Sequence, residues 1–297
     1  MFVHDDVKSA IPFMKKSHAK GKPFFINLWI HEPHTPFHVD PKLQKLFPDL
    51  PEADNIYAAT LYHADLRIGQ LLDALDKMKI SDNTLVIFSS DNGPARGSPN
   101  SPITLSYDSA TGPGYGIGAA KGITGGRRAF KGALLEGGIG VPFIARWPGK
   151  IAAGKVDKTS VLTAVDLLPT FCELGNVKLP KSYQSDGISQ VSTLMGQGNK
   201  LRKKPIFWRM SAPWPANQAK PDHWVAYAVV SEQWKLVLNK DQSHVELFDL
   251  VNDPLESGDL AAKNLETVKR MKNLLQKWLS SIPAKPTGNV FSGLRES

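Results

Sequence analysis

The first 175 residues alternate between short apolar segments and helical patterns. Apolar runs at 23–30, 84–90 and 141–147 have the length and composition of buried strands. Between the first two runs, residues 55–80 repeat their apolar side chains every three or four positions, as an amphipathic helix does. Apolar strands that alternate with helices predict an α/β domain with a large, mostly parallel central sheet.

The pattern changes after the polar stretch at 196–204. Residues 223–239 and 244–250 predict short strands joined by polar turns, and residues 264–282 predict one amphipathic helix. We therefore predict two domains. Residues 1–199 form the α/β domain, and residues 200–297 form a smaller α+β subdomain with an antiparallel sheet and a helix.

Composition argues against several classes of function. The net charge of +8 is spread along the chain, with neither a basic helix nor an aromatic platform, so we expect no nucleic-acid partner. A polyanionic substrate remains compatible with that charge. The apolar runs are too short for a transmembrane segment, and the single cysteine, Cys172, excludes an internal disulfide. The first residues do not resemble a signal peptide, and localisation and oligomeric state stay open.

Two oxygen-bearing side chains follow the apolar run at 84–90. Asp91 and Asn92 come at the expected carboxyl end of that strand, where open α/β sheets collect ligands. Carboxylate and carboxamide oxygens suit a hard cation such as Ca²⁺ or Mg²⁺. Asp-Asn-Gly is also a common turn sequence, so this segment alone is compatible with a turn as well as with a metal site.

Histidines follow the apolar run at 23–30. His31, His34 and His38 are closely spaced, and Pro33 and Pro36 flank the middle one and restrict its backbone. An imidazole on such a loop suits proton transfer or oxyanion binding near neutral pH. A zinc cluster is the alternative interpretation.

The segment KGALLEGGIGVPFIARWPG (131–149) predicts a tight turn that leads into a strand. Lys131 at its start could direct a compact cation toward an anionic group. A single lysine is more often simply solvated, so Lys131 indicates a site only together with the histidine loop and the Asp91-Asn92 pair.

Together these segments resemble the sulfatases of the alkaline phosphatase superfamily. Within that family, they resemble bacterial arylsulfatases and N-acetylgalactosamine-6-sulfatase-like proteins. The resemblance extends over essentially the whole chain, in the stretches PFFINLWIHEPHTP, VIFSSDNG, KGALLEGGIGVPFIARWPGKI, VDLLPTFCELG, SDGIS and VELFDLVNDPLESGDLA.

The resemblance implies an alkaline phosphatase-like sandwich and hydrolysis of aryl or carbohydrate sulfate esters, with a sulfated small molecule or glycan as partner. Asp91 and Asn92 match ligands of one Ca²⁺ ion. His34 matches the histidine that contacts the sulfate ester, and Lys131 matches the lysine that binds a sulfate oxygen. His31 is expected only as a substrate contact.

The family's nucleophile is a formylglycine made from a Cys/Ser-x-Pro-x-Arg motif, which this sequence does not contain. The resemblance also places residue 1 well inside the family's catalytic domain. We therefore expect an inactive sulfatase fragment. Two alternatives remain: a non-catalytic binder of sulfated glycans, or a two-zinc phosphatase or phosphodiesterase of the same superfamily. Asn92 disfavours the second, because those enzymes usually carry Asp-His at this point.

Overall fold

The computed structural model describes residues 3–97, 101–103, 105–108, 112–197, 201–210 and 221–283. Within these ranges the α-helices are α1 (Val3–Ala19), α2 (Pro41–Gln44), α3 (Glu52–Lys77), α4 (Glu136–Ile139), α5 (Leu167–Leu174), α6 (Val191–Leu194) and α7 (Leu265–Ser281). The strands are β1 (Val86–Ser89), β2 (Leu105–Asp108), β3 (Gly112–Tyr115), β4 (Phe143–Arg146), β5 (Ile206–Arg209), β6 (Tyr227–Ser231), β7 (Trp234–Leu238) and β8 (Val245–Asp249).

The long helix α3 confirms the amphipathic pattern seen in the sequence. One end of its buried side packs Ile56 against Phe37, and the other packs Leu75 against Met14 of α1. Acidic residues occupy its first turn and Lys77 its last, which suits the helix dipole. Burial of these apolar side chains supplies the helix with stability that its propensity alone would not give.

The strands of the first domain differ from the prediction of a parallel sheet. β1 pairs with β4 in antiparallel register, with Val86 opposite Arg146 and Ser89 opposite Phe143. Residues 23–30 alternate between more and less exposed side chains, yet they form no ladder in the described part of the chain. An apolar run does not encode its direction, since direction depends on the connection between strands. In its described residues, the connection from β1 to β4 holds the antiparallel β2–β3 hairpin and only short helices.

The C-terminal strands form the antiparallel sheet that the sequence predicts. Its order is β5-β6-β7-β8, and α7 packs on one face through Met271 and Leu275. Leu236 and Leu238 point toward that helix, whereas Val237 lies in the cluster on the opposite face. Alternate residues of β7 are therefore buried on both sides of the sheet.

Contacts divide the chain into two units. Unit 1 comprises Met1–Gly125 and Pro142–Ala153, and unit 2 comprises Gly126–Val141 and Gly154–Ser297. The boundary predicted between residues 199 and 200 lies outside the described residues and stays a prediction. Residues 126–141 group with unit 2 through apolar packing, because Leu134 and Leu135 belong to the core cluster on the second face of the C-terminal sheet.

Candidate functional site

The histidine loop of unit 1 is held by Phe37. This side chain is 1% exposed and lies edge-on to Tyr57, with ring centroids 5.8 Å apart. Its backbone exchanges two hydrogen bonds of 2.9 Å with Tyr115 of β3. The loop is thus fixed between His34 and His38.

His34 lies exposed on this loop, and its Nδ1 is 2.6 Å from the carbonyl oxygen of Thr35. Because a carbonyl oxygen only accepts hydrogen bonds, Nδ1 carries the proton and Nε2 is the basic nitrogen of the neutral ring. The peptide bonds preceding Pro33 and Pro36 are both cis. A fixed tautomer leaves a defined nitrogen for taking up and releasing a proton.

His31 lies beside His34, with their ring centroids 5.8 Å apart. The backbone N–H of His34 donates to the carbonyl oxygen of His31 at 2.9 Å. The Nε2 atom of His31 is buried and has no hydrogen-bond partner among the described residues. The structure therefore brings these two predicted residues together on one loop.

Asp91 and Asn92 follow the end of β1, as the sequence predicts. Oδ1 of Asp91 accepts the backbone N–H of Asn92 at 2.9 Å, and Nδ2 of Asn92 donates to the carbonyl oxygen of Gly93 at 2.9 Å. Ser90 donates through its hydroxyl to the carbonyl oxygen of Asn92 at 3.0 Å. These contacts have the character of a local turn, the simpler of the two interpretations of Asp-Asn-Gly.

Lys131 lies half-buried in unit 2, within a loop closed by a backbone hydrogen bond of 2.7 Å from Gly137 N–H to the Arg128 carbonyl oxygen. A Cβ on Gly137 would lie 2.1 Å from the Ala129 carbonyl oxygen, which explains a glycine at this position. Gly132 has φ +88°, a conformation that favours glycine. We call residues 128–137 the Lys131 loop.

The predicted site residues fall in both units. His31, His34, Asp91 and Asn92 belong to unit 1, whereas Lys131 belongs to unit 2. The sequence pattern that defines the sulfatase family matches residues 4–177, which include all five of them and more than half of the 297 residues. The chain belongs to the sulfatase family. A second pattern, the C-terminal region of N-sulphoglucosamine sulphohydrolase, matches residues 128–283.

Named sulfatases are similar over most of this chain. Arylsulfatase G of Rattus norvegicus is 27% identical over 258 residues, which are 84% of this chain and 46% of that protein. N-acetylgalactosamine-6-O-sulfatase of Bacteroides thetaiotaomicron is 24% identical over 271 residues, 86% of this chain and 47% of that protein. The crystal structure of Ps i-CgsB in complex with k-i-k-neocarrahexaose has a TM-score of 0.74 and 27% identity, and covers 93% of this chain and 54% of that one.

These similarities confirm the family resemblance and the alkaline phosphatase-like fold. The chain spans about half the length of the curated relatives it matches. Among its described residues, no helix combines the length and apolar character that a membrane crossing requires.

Sulfatases generally bind a divalent metal, which requires a sufficient set of donor atoms. Asp91 and Asn92 offer oxygen donors of the hard type, but Ca²⁺ takes about six to eight oxygens. One Asp91 oxygen already accepts the N–H of Asn92. In the described part of the chain, no three His, Cys, Asp or Glu side chains are grouped so as to hold an ion. These two residues alone do not make a complete metal site.

Sequence reasoning missed an ion-pair group at the start of the Lys131 loop. Arg128 contacts Asp222 at 2.6 Å and Glu246 at 2.5 Å. Burial alone would lower the pKa of Arg128, but the hydrogen bonds and charges of Glu246 and Asp222 outweigh it and raise the pKa. Arg128 is therefore permanently charged and ties the loop to the C-terminal part of unit 2.

A second missed group surrounds Lys235 of β7. Its side chain is 0% exposed, and its Nζ lies 2.8 Å from Glu136 and 2.8 Å from Glu256. The sequence did contain a signal, since a lysine interrupts the apolar strand pattern around residues 234–238. A charged residue inside such a run is almost never fully buried unless it is paired.

Proposed function

We propose that this chain binds sulfate esters in the manner of a sulfatase, with His34 and Lys131 as the groups that contact the sulfate. The observation that carries the proposal is the family match, because residues 4–177 include both side chains. Aryl sulfates and sulfated glycans are the proposed ligands, in keeping with the names of the related proteins.

Each residue has a role that fits its chemistry. The ammonium of Lys131 would bind a sulfate oxygen as a compact point charge. The ring of His34, once Nε2 has taken up a proton, would give that proton to the departing alcohol oxygen, while Nδ1 keeps its hydrogen bond to Thr35. His31, on the same loop, is proposed as a further substrate contact. Asp91 and Asn92 are proposed as two ligands of a Ca²⁺ ion, whose remaining ligands they do not supply.

Hydrolysis also requires a nucleophile. The sulfatase formylglycine arises from a Cys/Ser-x-Pro-x-Arg motif, and the single cysteine of this sequence, Cys172, is followed by Glu-Leu-Gly. Without the covalent step, the remaining groups can bind the ester but cannot form a sulfated intermediate. We expect the 297-residue chain to bind sulfate esters and not to turn them over.

The test is a calorimetric titration of the purified chain with 4-nitrophenyl sulfate, with and without added Ca²⁺. Lys131→Ala should weaken binding by roughly tenfold or more, since a hydrogen bond to a charged group contributes about 1.5–3 kcal/mol. Lys178→Ala is the matched control, because it removes the same charge from an exposed position. Equal losses in both variants, or no binding by the unaltered chain, would refute the proposal. Release of 4-nitrophenol would refute the expected lack of turnover.

One observation favours a second candidate, a non-catalytic binder of sulfated glycans. The net charge of +8 attracts polyanions independently of any single site. Binding to dextran sulfate that needs no Ca²⁺, disappears at high salt and survives Lys131→Ala would favour this alternative. Binding that depends on Lys131 favours the sulfatase site.

A further inference from the structure

Lys235 and Glu256 form a buried ion-pair group with Glu136 of the Lys131 loop. The Lys235 ammonium contacts a carboxylate oxygen of each glutamate at 2.8 Å. The second oxygen of Glu256 accepts the backbone N–H of Glu136 at 2.6 Å. Burial raises the pKa of Glu256, and the neighbouring Lys235 acts in the opposite direction. Glu136 is thus held both by its side chain and by its backbone.

Glu136 lies next to the residue that closes the loop. Gly137, its neighbour, donates its N–H to the Arg128 carbonyl oxygen. A displacement of Glu136 would therefore be transmitted directly to the hydrogen bond that sets the size of the Lys131 loop. The loop also rests on the sheet through Leu134 and Leu135, which are 7% and 0% exposed.

Stability alone does not account for a lysine at position 235. Apolar residues of similar volume in place of a buried ion group often leave stability unchanged or improve it. The neighbouring Val237 on the same face shows that apolar packing is available there. Unlike apolar side chains, charged groups make directional contacts, and these fix the orientation of each carboxylate.

We propose that Lys235 is a positioning residue, which with Glu136 and Glu256 holds the Lys131 loop in the conformation in which the Lys131 ammonium binds sulfate. This inference rests on the proposed function for the role of Lys131. Its structural part, that the orientation of Lys131 depends on the buried Lys235 group, can be tested apart from any ligand.

The experiment compares Lys235→Met with Arg202→Met, which breaks another buried ion pair of unit 2, Arg202–Asp166. Competitive acetylation with acetic anhydride, read by mass spectrometry, reports the reactivity of Lys131, and the exposed Lys178 serves as internal standard. Lys235→Met should change the reactivity of Lys131 at least threefold relative to Lys178, and Arg202→Met should change it less than 1.5-fold. If Lys235→Met does not fold, Glu136→Gln replaces it, because it keeps the pair between Lys235 and Glu256.

Binding of 4-nitrophenyl sulfate supplies the second readout. Lys235→Met should weaken it three- to tenfold, Arg202→Met less than twofold, and the loss should vanish when Lys131 is already alanine. An unchanged Lys131 reactivity, or the same loss in both lysine backgrounds, overturns the inference. If the unaltered chain binds no sulfate ester, the proposed function fails, and the acetylation result still decides whether Lys235 positions Lys131.

Discussion

Replacing Arg202 with methionine will leave a buried carboxylate without its cation. Asp166 is 0% exposed, and one of its oxygens lies 2.7 Å from Nη1 of Arg202. The same carboxylate accepts the backbone N–H groups of Thr163 at 3.0 Å and Ile188 at 2.8 Å. These two donors remain in the variant, so the Asp166 carboxylate keeps two of its hydrogen bonds.

The cost follows from burial. Removing one partner of a buried pair costs about 3–5 kcal/mol, because the other charge stays desolvated. Because two backbone donors remain, we expect Arg202→Met to fall near the lower end of this range and to reduce the free energy of unfolding by about 3 kcal/mol. Arg270→Met is the matched control, since Arg270 and Glu232 form an exposed pair at 3.5 Å, with 42% and 45% of their side chains accessible. An exposed pair contributes less than about 1 kcal/mol.

Urea unfolding followed by tryptophan fluorescence measures the stability of both variants, and both arginines lie in unit 2. Among the described residues, unit 2 holds the tryptophans at positions 208, 224, 234 and 278. With a slope of about 2–3 kcal/mol per M urea, Arg202→Met should lower the midpoint by about 1 M or more, and Arg270→Met by less than about 0.5 M. Equal shifts in the two variants would show that burial does not decide the cost of losing an arginine here.

Four further predictions concern single positions. Gly137→Ala should lower the free energy of unfolding by more than about 2 kcal/mol, because its Cβ would lie 2.1 Å from a carbonyl oxygen. Gly69→Ala, with nothing within 4 Å in α3, should raise it by about 1 kcal/mol, and both are measured by urea unfolding. Trp29→Ser should change the free energy of unfolding by less than about 0.5 kcal/mol, because Trp29 is 82% exposed. Burial would raise the pKa of Asp157, but hydrogen bonds from Ser160 and Thr159 outweigh it and lower the pKa. The stability from Asp157 is therefore present above the unfolded-state pKa and lost as pH falls through the lower folded-state value, so Asp157→Asn should reduce the fall in Tm between pH 5 and pH 3 that calorimetry records.

Helices and the antiparallel C-terminal sheet could be predicted from the sequence, whereas the direction of the strands in unit 1 could not. The helices at 55–80 and 264–282 appear as Glu52–Lys77 and Leu265–Ser281, because their apolar spacing is a local property. The C-terminal sheet was also predictable, since short polar turns between strands favour antiparallel pairs. The pairing of β1 with β4 was not, because it joins Val86 to Arg146 across a long connection whose path leaves no periodic signal.

The candidate site shows the same limit. His34, Asp91, Asn92 and Lys131 could be named because each belongs to a short stretch that resembles the family. The partners of Lys235 could not be named, because Glu136 lies 99 residues away in the sequence. Apolar periodicity indicates which face of a strand is buried, but it does not show which distant charge will meet a buried lysine.

The placement of the Lys131 loop gives the C-terminal region of this chain a structural role. Sequence patterns suggested a separate subdomain after residue 199, adjoined to a domain that holds all candidate site residues. In the structure, residues 126–141 pack with the C-terminal sheet, through Leu135 in its core and Glu136 on its buried lysine. The sheet is thus a structural support for one of the two proposed sulfate contacts. Changes in β7 or around Glu256 can therefore reach sulfate binding without touching His34, Asp91 or Asn92.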